Sequence, residues 1–280
     1  MKKSINAWSV DNSTDFKEMF VQLECAGFDA VELNLDAAGR SAHSLTLETT
    51  DEELIHIRHE AESVGIEIAG VSSSLYGIKL GNPETHDEAE KIIMHHIHCA
   101  KLLGVDSILV VPGANIAAGH DILTAHNTAF AFLNKLKPKI EEEGVYVCLE
   151  NVWNGFFTSP FDMASFIDRL DSPFIKAYYD VGNTIAFSDT VSWIRILGNR
   201  IKRVHIKGFK RNRAFNNGGV WVDIPDADVD WKIVVDALKE AGYDGYLTAE
   251  VSPVKAYDNM QDFYRDVAIQ ESEILNLRKD

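Results

Sequence analysis

The chain has 280 residues, of which 46% are hydrophobic and 25% charged, and it carries a formal net charge of -16. This composition excludes a disordered polar chain, and the acidic balance disfavours nucleic acid or an anionic membrane surface, because the long-range field repels polyphosphate. The longest apolar stretches, such as residues 107–113, are well short of the roughly 18 residues of a membrane span, and the two N-terminal lysines precede no apolar leader core, so a cytoplasmic protein is expected.

Short apolar or β-branched runs alternate with longer amphipathic segments along the whole chain. Eight runs are read at residues 4–8, 29–35, 66–72, 107–113, 145–151, 175–182, 201–209 and 245–251. Thr50 with Glu53 and Ser159 with Asp162 have the spacing of capping boxes, and Gly27, Gly65, Gly104, Gly144, Gly198 and Gly242 stand where helices should stop. The recurring order of helix, glycine and strand predicts serial βα units and a parallel sheet. No linker divides the chain, so residues 1–280 are expected to form one α/β domain, a single (β/α)8 TIM barrel. A doubly wound open sheet is the alternative, but it would call for a glycine-rich phosphate loop that the sequence lacks.

The polar residues at the strand ends matter most, because a barrel of this kind works at the C-terminal ends of its strands. The first run ends at Trp8, expected as a hydrophobic wall, and the second carries Glu32, either a pocket residue or a satisfied barrel residue. His95, His96 and His98 lie on one amphipathic segment at spacings that point apart, which argues against a shared ion. Run five ends in Glu150, followed by Trp153, Phe156 and Phe157 as an apolar wall or a subunit contact; exposed aromatics of this kind would suit a homo-oligomer, dimer or tetramer. Run six ends in Asp180, run seven carries His205, and run eight ends in Glu250. Cys25, Cys99 and Cys148 are too scattered for a disulfide framework or a metal clip and are expected to be buried as small apolar residues.

Three carboxylates and an imidazole from four consecutive strands surround one point, and buried carboxylates at that density call for a cation. The oxygen-rich set suits one divalent metal ion, manganese first, with magnesium, cobalt or zinc as alternatives. Around His205 the segment 203–213 is basic despite the acidic chain. Lys207, Lys210, Arg211 and Arg213 could hold a phosphate or sugar hydroxyls, whereas Lys202 and Arg203 are expected to be solvated. The polar stretch 211–231, with Trp221, reads as a lid.

The motifs LEN at 149–151, YYDVGNT at 178–184, VHIKGFK at 204–210 and TAEV at 248–251 resemble those of the xylose-isomerase-like TIM barrel superfamily of sugar isomerases and epimerases. Within it they look most like ketose 3-epimerases and L-ribulose-5-phosphate 3-epimerase. The resemblance implies that Glu150, Asp180, His205 and Glu250 bind the metal, that Glu150 and Glu250 are the acid/base pair, and that Arg211 contacts a sugar or sugar phosphate. It also places Asn183 at a substrate-binding position, where relatives carry histidine, and Phe156 where they carry a second glutamate.

The chemistry expected at such a site is metal-assisted. A proton beside a ketone leaves at neutral pH only if the enediolate oxygen is stabilised as it forms, and a divalent ion supplies that charge. Two carboxylates on opposite faces would epimerise the carbon; one carboxylate acting on one face would isomerise aldose and ketose. An inosose-type dehydratase would use the same groups to expel a hydroxyl. Two further alternatives are a metal-dependent endonuclease, which the charge disfavours, and a non-catalytic sugar-binding module.

Overall fold

A computed structural model describes residues 1–114, 119, 121–213 and 217–276. Eight parallel strands close into a barrel: β1 (Lys2–Asn6), β2 (Ala30–Leu35), β3 (Glu67–Ser73), β4 (Ser107–Val110), β5 (Tyr146–Glu150), β6 (Ile175–Asp180), β7 (Ile201–Ile206) and β10 (Tyr246–Ala249). All eight runs become barrel strands. Their partners follow chain order around the barrel, and β1 closes it against β10. Around them pack α1 (Phe16–Ala26), α2 (Asp51–Val64), α3 (His86–Leu103), α4 (Ile122–Glu143), α5 (Pro160–Leu170), α6 (Val181–Ile185), α7 (Thr190–Leu197), α8 (Trp231–Glu240) and α9 (Met260–Leu275). Among the described residues no helix is long and apolar enough to cross a membrane.

Local chemistry sets the element ends. Thr50 and Glu53 bond reciprocally and cap α2, whereas the Ser159 hydroxyl caps α5 through the Phe161 amide and Asp162 faces Thr158, so a reciprocal box forms only at the first of the two. Gly27, Gly65, Gly104 and Gly144 end α1 to α4 in the left-handed conformation that a side chain would strain. Gly198 also has positive φ but leads into a 3-10 turn, and α8 stops at Glu240, before Gly242. β6 stops at Asp180 because that carboxylate caps α6 by accepting from the Asn183 amide at 2.9 Å. The seventh run breaks at Lys207: β7 is followed by β8 (Gly208–Arg211), which pairs antiparallel with β9 (Gly219–Val222) as a hairpin outside the barrel. This hairpin occupies much of the stretch expected to be a lid, of which residues 214–216 lie outside the described residues.

Two cores result from the period-two alternation of the strands. Outward-facing Ile5, Val31, Leu33, Val71, Ile108, Val147, Leu149, Tyr179, Val204 and Leu247 pack with the helices in one large hydrophobic cluster. Inside the barrel the apolar cluster is small, Leu109, Cys148 and Tyr178 with Val111 and Tyr146 against it, and much of the remaining lumen is polar. Cys99 and Cys148 are buried, but Cys25 is exposed, because it lies on the solvent face of α1.

Arg203 corrects the expectation of a solvated residue. It is two residues from His205, so it shares the inward face; it is 8% exposed, with its Nε donating to the Ala69 carbonyl at 3.2 Å and its Nη2 paired with Asp106 at 2.6 Å. Lys202 binds the same Asp106 at 2.7 Å and lies over the Tyr146 ring. Both close the end of the barrel opposite the strand C-termini.

Candidate metal centre and its cavity

Strand register brings the polar ends together. Asp180 pairs with His205, Glu150 with Tyr178, and Thr248 with His205, so each of the four residues lies within about one strand step of the next. Glu150, Asp180, His205 and Glu250 each offer one ligand atom, and these atoms all lie within 4.8 Å of one another. Asp180 and His205 are fully buried, Glu150 nearly so, and Glu250 is the most open at 23%. His205 Nδ1 lies 3.1 Å from Glu150 and 3.3 Å from Glu250. Lys207, two residues further along the same face, pairs with Asp180 at 2.7 Å and with Glu250 at 2.8 Å.

The environment drives the two glutamates apart. Burial, reinforced by the charges of Glu250 and Asp180, raises the Glu150 carboxyl to about 7 against the hydrogen bond from His205. Burial would raise Glu250 too, but the Lys207 ammonium and His205 outweigh it and hold this carboxyl well below the usual range. Burial also works against the charged forms of His205 and Lys207; the surrounding carboxylates outweigh it, and both are held above their ordinary values. The donor set, three carboxylate oxygens and one imidazole nitrogen at the end of a closed barrel, fits a hard or borderline divalent ion.

Asn183 is a clamp beside this cluster. It is buried, its Nδ2 donates to the Asn151 carbonyl at 3.0 Å, and its Oδ1 lies 3.4 Å from Lys207. Asn151 in turn holds both the N–H and the C=O of Asp180, each at 2.9 Å, so the LEN and YYDVGNT motifs brace one another. The equivalence of Asn183 to a sugar-contacting histidine thus falls on a residue whose amide is engaged with backbone.

A cavity of about 290 Å³ opens beside Glu250 and Lys207, walled by Trp8, Trp221, Val222, Val251 and Pro253. Trp8 is set there by its indole N–H, which donates to buried Asp36 at 3.0 Å, and Arg40 covers its ring at 5.2 Å. Trp221 stacks on half-exposed Trp153, with centroids 5.2 Å apart. Phe156 turns away instead and packs with His126, Phe157 and Phe166 beneath the loop.

The basic cluster of the sequence is dispersed. Arg203 is at the far end of the barrel, Lys210 and Arg213 are exposed on and beyond β8, and Arg211 is turned towards the Ile185 carbonyl at 3.3 Å and Asp228 at 3.8 Å. Lys207 alone of these lines the cavity. His95, His96 and His98 of α3 also find separate partners: His95 faces the Thr46 carbonyl, His96 meets Tyr76 and the Val71 carbonyl, and His98 faces Asp51.

A profile of the xylose isomerase-like TIM barrel family matches residues 20–267. The chain belongs to that family. This xylose isomerase-like barrel is 20% identical to an inosose dehydratase of Clostridium perfringens (strain 13 / Type A) over 283 residues, 90% of each chain. Its fold matches a D-psicose 3-epimerase solved in the presence of D-fructose with a TM-score of 0.76 and 17% identity, covering 98% of this chain and 99% of the other. It also matches a 3-keto-D-glucoside 4-epimerase from E. coli with a TM-score of 0.71 and 15% identity, over 97% and 99%. At such identities the structural likeness concerns the fold.

Sequence reasoning left the role of Glu32 open, and the structure places it against His205, 2.8 Å from Nε2. The signal was its alternation with Asn34 in AVELNL, which puts both on the inward face.

Proposed function

We propose that the protein is a divalent-metal-dependent sugar epimerase or isomerase that works through an enediolate, as one catalytic barrel in the cytoplasm. The observation that carries this reading is the convergence of Glu150, Asp180, His205 and Glu250 at the C-terminal mouth, with the Glu150 carboxyl raised to about 7 and that of Glu250 held low. A bound ion, manganese first, would supply the charge that stabilises a developing oxyanion. The residues do the rest. Glu150, whose carboxyl is raised to about 7 in the metal-free chain, is the first acid/base group. Glu250, ionised beside Lys207, is the second group of the pair and is placed to accept a proton on the cavity side. Trp8 and Trp221 wall the cavity beside Lys207 and Glu250.

The cavity walls also bear on substrate charge. Among the described residues Lys207 is the one cation lining the cavity, and it is already engaged by two carboxylates, so an uncharged sugar fits this cavity better than a phosphate ester. The likeness to a ketose 3-epimerase supports a ketose; the 20% identity to an inosose dehydratase supports, as the second reading, loss of water from a cyclic polyol ketone.

Purified protein would be analysed for metal, then incubated with ketoses, their phosphates and inososes in deuterated water. Incorporation of deuterium with retention of all oxygens supports the epimerase or isomerase, and loss of water supports the dehydratase. Binding of a sugar without any exchange would sink both. Glu150→Gln and Glu250→Gln should each slow exchange by about 100-fold or more.

A further inference from the structure

Glu32 lies on β2, a strand that supplies none of the four clustered residues, and its side chain is fully buried inside the barrel. Four groups converge on its carboxylate. Asn6 Nδ2 from β1 donates to Oε1 at 2.6 Å, His205 Nε2 from β7 lies 2.8 Å from the same oxygen, the Ser72 hydroxyl of β3 also donates to Oε1, and the Tyr178 hydroxyl of β6 donates to Oε2. One carboxylate therefore ties five strands together. Asn6 is itself held, its Oδ1 accepting from Asn34 Nδ2 at 3.1 Å and from the Trp8 amide at 2.8 Å. The Tyr178 ring packs on the His205 ring with centroids 4.4 Å apart.

A carboxylate only accepts, so the hydrogen shared between it and His205 belongs to Nε2. The other ring nitrogen, Nδ1, faces Glu150 at 3.1 Å and Glu250 at 3.3 Å; without an ion it donates to these carboxylates, and a bound divalent ion would take the place of that proton. An imidazole whose outer nitrogen is engaged by a carboxylate presents the inner one as a donor with fixed tautomer and direction, and loss of such a partner typically weakens metal binding about 10- to 100-fold. Glu32 does not line the cavity, so it acts through His205 and not on substrate.

We propose that Glu32 is a positioning residue: it holds His205 as the Nε2–H tautomer and aims Nδ1 into the four-residue cluster, thereby setting the affinity of that cluster for a divalent ion. The inference rests on the metal reading of the site given above. Its test uses the full-length protein stripped of metal, with Mn²⁺ as the probe, titrated calorimetrically into the wild type, Glu32→Gln and Tyr178→Phe, while circular dichroism and melting report folding. Glu32→Gln should bind Mn²⁺ about 10- to 100-fold more weakly, and Tyr178→Phe, which leaves the Glu32–His205 contact in place, should lose less than this. Nitrogen-15 NMR of the histidine-labelled, zinc-loaded wild type should show Nε2 protonated and Nδ1 bound to metal. A folded Glu32→Gln with wild-type affinity overturns the proposal, and so does zinc on Nε2, an outcome that needs no variant to fold. If the wild type binds neither ion, the metal reading itself has failed; if wild type and Glu32→Gln bind equally well, only the role of Glu32 has.

Discussion

Replacing Glu150 with glutamine should make the metal-stripped protein more stable at alkaline pH while blunting its response to divalent ions. The carboxyl stands at about 7 in the folded chain against an ordinary value of 4.5. A carboxyl raised by folding contributes its full stability below pH 4.5, and that contribution is lost as the pH rises through about 7. At about 1.4 kcal/mol per pH unit, the gap between 4.5 and about 7 makes ionised Glu150 unfavourable by roughly 3 kcal/mol at pH 8. Glutamine removes that charge but weakens the contact with His205, worth about 1 kcal/mol, which leaves a net gain of about 2 kcal/mol and a rise in Tm on the order of 5 °C for a chain of this size. Scanning calorimetry with a chelator would be run from pH 5 to pH 8. The advantage should be present at pH 8 and absent at pH 5, where the wild-type carboxyl is already protonated. With Mn²⁺ at 100 times its Kd the wild type should gain about 2.7 kcal/mol, so its deficit narrows, and the order reverses where the variant gains less than about 0.7 kcal/mol. A variant that melts below the wild type at pH 8 in chelator would refute the claim that burial and neighbouring charge, and not packing, dominate at Glu150.

Three further outcomes follow from the geometry. Trp221→Ala should raise KM about tenfold, or about 1.4 kcal/mol, with kcat changed less than threefold, because Trp221 walls the cavity without touching the four clustered residues; a fall in kcat alone would contradict this in steady-state assays. Gly182→Ala would put a methyl group 2.4 Å from Lys207 Cβ, so it should push Lys207 away from Asp180 and lower kcat/KM at least tenfold, to be checked against a melting curve. Arg203→Ala should cost about 2 kcal/mol in urea unfolding, from the lost packing and hydrogen bond, with Mn²⁺ affinity of the folded protein unchanged; a weakened affinity would show that the closed end of the barrel bears on the mouth.

The barrel was legible because the repeat of helix, glycine and strand is a backbone requirement: Gly27, Gly65, Gly104 and Gly144 adopt left-handed φ, and the residues after them turn into strands. The clustering of Glu150, Asp180, His205 and Glu250 was legible because each ends or interrupts an apolar run. What escaped was mostly a matter of which face a residue points to. Arg203, His205 and Lys207 alternate on one face of β7 and its extension, so the two-residue period already placed Arg203 inside; treating the basic cluster as one loop concealed it. Phe156 could not be placed from sequence, because only the packing of α5 against the loop shows that it turns towards Phe166. The hairpin of β8 and β9 was hidden for a different reason: its polar, glycine-containing sequence is also that of an irregular loop, and its pairing is seen only in register, as between Phe209 and Trp221.

The polar filling of the barrel has a consequence for how such a protein changes. Aliphatic side chains can be exchanged for others of similar volume, but Asn6, Glu32, Ser72 and Tyr178 are matched by direction, donor to acceptor, and a swap at one strands its neighbours. Change is therefore channelled to the rim of the cavity, where Trp221 and the residues around Pro253 lie outside the polar network of the barrel interior.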